Sequence, residues 1–140
     1  MNDPTANVDP WTGATVLSDE QCWEHLRSTQ IGRVGVTVGT TPDIFPVNYR
    51  IHRREIVIRT EAGTKLAAGT LMPTIAFEID EIDLENRQGW SVVVKGNGRE
   101  PSGLDEIARL EEVDLAPWAD APKSRWLIIT PLEVTGRSVG

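Results

Sequence analysis

Apolar side chains recur at every second position in the middle of the chain, which is the period of an extended strand with one buried face. Val34, Val36 and Val38 fall on one face of such a strand, and smaller or polar residues fall on the other. Five further segments have the composition of strands: residues 44–51, 55–60, 74–82, 90–99 and 125–135. Short turns join the first three strands, and the segments do not alternate with helices as β-α-β units do. The predicted fold is therefore mainly β, with six antiparallel strands in a small barrel or a sheet covered by short helices.

Three helices are expected to form these covers. The first begins after Ser18, because Ser18 and Gln21 have the spacing of a capping box. The second is expected from Thr64 to about Leu71, before Pro73. The third opens at Ser102 with Asp105, and three of its apolar residues are expected to line one side of it: Leu104, Ile107 and Leu110.

Two prolines and an irregular start complete the outline of the chain. Pro46 interrupts the second predicted strand, so it is expected at a bulge or a sheet edge. Pro131 interrupts the last strand. Residues 1–16 show no periodicity and are interpreted as a flexible N-terminal arm. Residues 17–140 are then one domain, which is the size expected for 140 residues.

Charge and cysteine content exclude several classes of protein. The formal net charge of −7 disfavours nucleic-acid binding, which depends on clustered cations. The single cysteine, Cys22, excludes an internal disulfide bond, and the two histidines lack partners at metal-ligand spacing, so no metal site is predicted. No apolar run is long enough to span a membrane, and the start of the chain lacks the cations of a signal peptide. We therefore expect a cytoplasmic protein.

The segment from Arg59 to Lys65 is the strongest candidate for an anion-binding site. Residues 21–70 hold seven of the fourteen lysines and arginines. Lys65 falls in the first turn of a predicted helix, where the helix dipole disfavours a cation unless an anion is bound there. Arg59, Thr60 and Thr64 add donors suited to a phosphate. The alternative is that Lys65 extends into water and that Arg59 pairs with a nearby glutamate.

A second candidate is the segment Phe45–Tyr49 on the preceding strand. Pairing of that strand with residues 55–60 would bring Asn48 close to the anion site, and the Asn48 amide suits the edge of a heteroaromatic ring. The alternative is purely structural, with Pro46 blunting an edge and Tyr49 in the core.

Taken together, several short motifs resemble the pyridoxamine 5′-phosphate oxidase-like flavoprotein family over residues 17–137. They are Arg33-Val34-Gly35-Val36, Phe45-Pro46-Val47-Asn48-Tyr49, Ile58-Arg59-Thr60, Gly63-Thr64-Lys65-Leu66, Ala76-Phe77-Glu78-Ile79-Asp80 and Gly89-Trp90-Ser91-Val92-Val93-Val94. The resemblance implies a six-stranded split β-barrel that binds FMN in a groove between the two subunits of a homodimer.

The resemblance also implies roles for individual residues. Four would hold the FMN phosphate: Arg59, Thr60, Thr64 and Lys65. Three would line the isoalloxazine ring: Pro46, Val47 and Asn48. Trp90 and Ser91 would approach the cofactor, from the neighbouring subunit if the groove is shared.

The expected function is an FMN-dependent oxidoreductase that acts on a small molecule, and the substrate is open. The C-terminal motifs with which pyridoxamine phosphate oxidases seat their substrate are not recognisable after Val134. No side chain stands out as an acid or a base, so no catalytic residue is assigned. Two alternatives remain: a deazaflavin-dependent reductase on the same fold, and a non-catalytic dimer that binds or carries flavin.

Overall fold

The computed structural model describes Val8, residues 13–61, residues 63–116 and residues 124–140. Ten elements follow one another in this part of the chain: β1 (Thr15–Val16), α1 (Asp19–Ser28), β2 (Ile31–Val38), β3 (Thr41–His52), β4 (Glu55–Glu61), α2 (Lys65–Thr70), β5 (Ile75–Asp83), β6 (Gln88–Arg99), α3 (Leu104–Glu111) and β7 (Ser124–Val139). The strands form one antiparallel sheet in the order β1-β7-β4-β3-β2-β5-β6.

Pairing between β6 and β7 closes this sheet into a barrel. The six long strands confirm the predicted barrel, and the two-residue β1 adds to its rim by pairing with residues 137–138 of β7. The predicted arm over residues 1–16 lies mostly outside the described residues. Its last two residues form β1, so the sheet begins before residue 17.

The barrel interior is filled by the alternating apolar residues that the sequence predicted. Val34 and Val36 of β2 point inward and are buried, together with Phe77 of β5 and Tyr49 of β3. The Tyr49 ring lies edge-on to that of Phe77, and its hydroxyl donates to the Leu26 carbonyl oxygen in α1. The interior therefore fixes which residues of each strand face outward.

The helices α1 and α2 begin at the capping residues that the sequence predicted. Ser18 and Gln21 form both hydrogen bonds of a capping box, and Thr64 caps α2 by accepting a hydrogen bond from the backbone N–H of Ala67. Buried residues of both helices join the core inside the barrel.

The third helix differs from its prediction. Its N-cap is Gly103, at a φ of 95°, and Ser102 lies before it. Of the three residues predicted to line one side of the helix, Leu110 is buried, whereas Leu104 is 83% exposed and Ile107 36%. The helix packs outside the barrel, where Leu110 meets Val57 and Trp126 in a second apolar cluster. Helical spacing predicts that residues share one face of a helix, but it does not predict how much of that face becomes buried.

The two prolines occupy positions that tolerate a missing N–H. Pro46 lies in the part of β3 that pairs with β2 alone, opposite Arg33, so the strand is locally an edge there. Pro131 lies opposite Gly96 at a register shift between β6 and β7, and β7 continues beyond it to Val139.

Candidate functional site

The barrel is open between β3 and β4. Their ladder ends at the pair Tyr49 and Ile58; before Tyr49, β3 pairs with β2 alone, and after Ile58, β4 pairs with β7 alone. Since Tyr49 and Ile58 point into the barrel, Asn48 and Arg59 both face outward at the place where the strands separate. Two of the predicted site residues therefore share one outer face beside the opening.

The backbone of Asn48 is directed toward this opening. The N–H of Tyr49 donates to the Gln30 carbonyl oxygen on the β2 side, at 2.9 Å. Backbone groups alternate in direction along a strand, so those of Asn48 point away from β2. The side-chain oxygen of Asn48 accepts a hydrogen bond from the Arg50 guanidinium at 3.2 Å, which leaves the Asn48 amide NH₂ available as a donor.

Arg59 is held by residues that are distant in sequence. Its guanidinium carbon lies 4.7 Å from the centre of the Trp126 ring, and one of its nitrogens lies 3.7 Å from a carboxylate oxygen of Glu111. The indole N–H of Trp126 donates to the other oxygen of Glu111 at 2.9 Å. Arg59 thus has a fixed position and keeps 23% of its side-chain surface exposed.

Three more predicted phosphate ligands lie just after Arg59. Thr60 is partly buried and points to the opposite face of β4. The Thr64 hydroxyl is already engaged, since it caps α2 and donates to the Glu61 carbonyl oxygen at 3.1 Å. Lys65 is exposed, and no carboxylate of the described residues lies within 4 Å of its ammonium group. Arg59 and Lys65 are thus the two cations of this segment, while the Thr64 hydroxyl is engaged in capping α2.

Trp90 and Ser91 lie elsewhere, on β6. The Trp90 ring stacks on His25 of α1, with 3.7 Å between ring centres, and so faces the barrel and its helix. Ser91 faces outward opposite Arg137. A pocket of about 480 Å³ opens beside both residues, between the β5–β6 hairpin and the end of β7.

A protomer does not bring the two groups of predicted residues together. Through β7 the two residues are offset along the strand, because Ser91 on β6 lies opposite Arg137 and Arg59 on β4 lies opposite Trp126. Through β5, β2 and β3, four strand-to-strand steps separate them, which amounts to roughly 19 Å along the sheet. Pro46 and Asn48 face the same side as Ser91, whereas Val47 points into the barrel and is 5% exposed. The backbone groups of Val47 point toward β2, as those of Tyr49 do, so of this segment only Pro46 and Asn48 direct their backbone toward the opening.

Between these groups lies a polar cluster that the sequence did not single out as a site. Arg33 on β2 donates to Glu78 at 3.2 Å and to Asp80 at 3.4 Å, both on β5. Burial and the neighbouring Asp80 carboxylate raise the pKa of Glu78 from 4.5 to about 7, against the opposing effect of Arg33. This part of the acidic segment 78–85 is therefore paired and partly buried.

Glu111 and Trp126 are the neighbours of Arg59 that sequence reasoning missed. Trp126 lies opposite Arg59 because of the register between β4 and β7, and Glu111 reaches both from the end of α3. No spacing in the sequence reports this register. The only available signal was Trp126 at the start of a predicted strand.

Other chemistry is limited among the described residues. They contain no group of histidine, cysteine or acidic side chains arranged to hold a metal ion. Burial raises the pKa of the Cys22 thiol, which disfavours the reactive thiolate. No helix in the described ranges is long and apolar enough to cross a membrane.

Comparisons with known proteins agree with this architecture. Residues 18–138 match the family model described as pyridoxamine 5′-phosphate oxidase. An uncharacterized Mycobacterium tuberculosis protein, Rv0080, is 31% identical over 125 residues, covering 86% of this chain and 82% of its own. The structure of the FAD binding protein from Mycobacterium smegmatis superposes with a TM-score of 0.79 at 36% identity, over 90% of this chain and 100% of that one.

A FAD-binding protein from Mesorhizobium loti has the same fold, with a TM-score of 0.73 at 22% identity, over 91% of this chain and 99% of its own. The barrel, its opening beside Arg59 and the match over residues 18–138 lead to one assignment. The chain belongs to the pyridoxamine 5′-phosphate oxidase family.

Proposed function

We propose that this protein is a flavin-dependent oxidoreductase that holds the phosphate end of its flavin at Arg59 and Lys65. The observation that carries the proposal is the arrangement at the opening of the barrel. Arg59 lies at a strand edge where the backbone groups of Asn48 face the opening, and Lys65 follows six residues later as the first residue of α2. Such a site offers charge to a phosphate and hydrogen bonds to a ring edge, which are the two ends of a flavin nucleotide.

The residues of the opening have separate tasks in this proposal. The Arg59 guanidinium, fixed over Trp126, donates to phosphate oxygens, and Lys65 adds a point charge from α2. The Asn48 amide and the backbone N–H of Asn48 donate to the polar edge of the ring, and the carbonyl oxygens of Pro46 and Asn48 accept from it. When bound, the flavin supplies hydride transfer, while the protein supplies binding, orientation and electrostatics.

Three flavins carry a phosphate that suits the proposed site. FMN, which the sequence predicts, carries a single phosphomonoester that this cluster suits. The M. smegmatis relative is described as a FAD binding protein, so FAD is the competing form. A deazaflavin would present its phosphate to the same cations.

We further propose that the flavin lies between two copies of this chain. Trp90 and Ser91 lie on β6, four strand-to-strand steps from Arg59 along the sheet through β5, β2 and β3, so in this proposal they meet the cofactor from the neighbouring subunit. The 480 Å³ pocket beside them is then available to a small-molecule substrate.

The experiment that tests the phosphate site is a titration of the purified apoprotein with FMN, FAD, riboflavin and a deazaflavin, monitored by fluorescence. Wild-type protein should bind FMN or FAD more tightly than riboflavin, which lacks the phosphate. Lys65→Glu should weaken FMN binding by about a hundredfold, since it replaces a charge-assisted hydrogen bond with repulsion, and should leave riboflavin affinity unchanged.

Lys95→Glu is the matched control, because Lys95 is also exposed and carries the same charge on β6. Equal losses in both variants would show a general charge effect and would contradict the phosphate site. Reduction of the bound flavin by NADPH or NADH, followed by reoxidation, distinguishes an enzyme from a flavin carrier.

A further inference from the structure

Arg50 lies beside Asn48 and is partly buried. One terminal nitrogen of its guanidinium donates to the Tyr49 carbonyl oxygen at 2.7 Å and to the Asn48 side-chain oxygen at 3.2 Å. The other terminal nitrogen donates to the side-chain oxygen of Gln30 at 3.4 Å. Three partners from two parts of the chain therefore hold the guanidinium in place.

The direction of these bonds decides which end of the Asn48 amide meets the opening. The N–H and C=O of one residue point to the same side of an antiparallel strand, and the N–H of Tyr49 points toward β2. The Arg50 guanidinium, which binds the C=O of Tyr49, is consequently on the β2 side. A guanidinium has donors only, so the Asn48 atom that faces it is the oxygen. The NH₂ group of Asn48 is then directed away from Arg50, on the side of the opening.

A fixed NH₂ group matters because an asparagine amide has two different ends. Rotation of the amide by half a turn exchanges a donor for an acceptor. The polar edge of a flavin ring presents two carbonyl oxygens and ring nitrogens as acceptors, with one N–H donor between them. An amide that is held with its NH₂ group toward the ring selects the acceptors of that edge.

The guanidinium also places a positive charge near the ring. Two successive hydrogen bonds with the amide between them separate Arg50 from a ring atom by roughly 8 Å. The reduced flavin ring is an anion at slightly alkaline pH, whereas the oxidised ring is neutral. A cation at this distance therefore stabilises the reduced form more than the oxidised form.

We propose that Arg50 is a positioning residue of the flavin site, which holds the Asn48 amide as a hydrogen-bond donor to the acceptor atoms of the flavin ring. The inference rests on the proposed function, because it requires a flavin ring at Asn48. Arg50 acts on the ring through Asn48 and through its charge. It has no part in binding the phosphate, so its effect on affinity is the same for FMN and for riboflavin.

The test compares wild-type protein, Arg50→Met and Arg53→Met in titrations with FMN and riboflavin at pH 8. Methionine keeps a long unbranched side chain and removes the donors and the charge. Arg50→Met should weaken the binding of both ligands equally, by about three- to tenfold, which corresponds to one hydrogen bond. This result differs from that expected of Lys65→Glu, which acts on FMN alone.

A double-mutant cycle tests whether Arg50 acts through Asn48. Asn48→Ala should lose affinity for both ligands, and the addition of Arg50→Met should cause little further loss. A merely structural role of Arg50 would instead lower the Tm and would cause the same further loss in the Asn48→Ala background, which would overturn the proposal.

The reduction potential of the bound FMN is a second readout. In Arg50→Met the affinity for reduced FMN should fall about fivefold relative to that for oxidised FMN, which lowers the potential by ~20 mV for a two-electron couple. Arg53 is the matched control, because it is exposed in the turn after β3. Roughly 16 Å of strand separates it from Asn48, which exceeds the Debye length, so Arg53→Met should change neither affinity nor potential.

Arg50→Lys decides the question if Arg50→Met does not fold. Lysine keeps the charge and one donor group but lacks the fork that reaches three partners. Arg50→Lys should therefore keep the potential of wild-type protein and lose part of the affinity, equally for FMN and riboflavin. A loss confined to FMN would place Arg50 at the phosphate and would contradict the proposal.

The outcomes separate this inference from the proposed function. If wild-type protein binds neither FMN nor riboflavin, the proposed function fails and this inference fails with it. If wild-type protein binds FMN more tightly than riboflavin but the Arg50 variants leave both affinities and the potential unchanged, only the role of Arg50 is overturned.

Discussion

Folding raises the pKa of the Glu78 carboxyl group toward neutral pH. Partial burial, followed by the hydrogen bond and charge of Asp80, raises its pKa from 4.5 to about 7. The folded protein thus keeps a proton that the unfolded chain releases at a lower pH. The stability contributed by this proton is fully present below pH 4.5 and is lost as the pH rises toward 7.

Glu78→Gln should remove that dependence. Thermal unfolding in matched buffers should show that the Tm of the wild-type protein falls between pH 4.5 and 7.5 by an amount that the variant does not show. Glu81→Gln is the control, because Glu81 is exposed on the same strand. If the two variants show the same pH profile, Glu78 does not hold the proton.

The same residue shows where sequence reasoning ends. Alternation on β2, β3 and β5 was enough to place Pro46, Asn48 and Glu78 on outward faces. The contact of Arg33 with both Glu78 and Asp80 depends on the β2–β5 register, across more than forty residues. Likewise, Arg59 was predicted as a phosphate ligand, but its contacts with Glu111 and Trp126 arise from tertiary packing.

At the scale of elements, α2 depends on a glycine in β6. A Cβ atom at Gly98 would overlap the carbonyl oxygen of Thr70, the last residue of α2. Gly98→Ala must therefore displace the helix or the strand, and we expect it to lower the free energy of unfolding by about 2–3 kcal/mol in urea titrations. FMN affinity should fall as well, because α2 carries Lys65.

Gly35→Ala is the control for this close approach. Its Cβ would lie 3.8 Å from that of Ala76, which is an ordinary contact, so stability should change by no more than about 0.5 kcal/mol. Comparable losses in both variants would mean that strand glycines, rather than the docking of α2, limit stability.

Elements with local signals were predictable and those shaped by packing were not. The capping box started α1 at the predicted residue, and period-two alternation together with strand-like composition located all six long strands. The start of α3 was misplaced because its cap is a glycine with a positive φ rather than a side-chain cap. The continuation of β7 past Pro131 was underestimated, because the register shift opposite Gly96 accommodates the proline.

At the scale of the whole molecule, one face of the barrel lacks a cover among the described elements. The helices bury their apolar residues in the barrel interior or in the cluster outside β4 and β7. On the outer faces of β2, β3 and β5, three isoleucines remain exposed: Ile31, Ile44 and Ile82. Exposed apolar residues that share a surface are typical of protein interfaces, which supports the proposed homodimer.

Light scattering after gel filtration tests this proposal, with an expected mass of twice the 15.5 kDa of the chain. Ile44→Asp should shift the protein to the monomer, because Ile44 is 72% exposed in the protomer and a dimer would bury the new charge without a partner. Leu104→Asp, at an 83% exposed position on α3, should remain dimeric. If the flavin lies between subunits, Ile44→Asp should also lose flavin affinity in proportion to its loss of dimer. A wild-type monomer that binds flavin at micromolar protein concentration would instead place the whole cofactor on one protomer and remove Trp90 and Ser91 from its site.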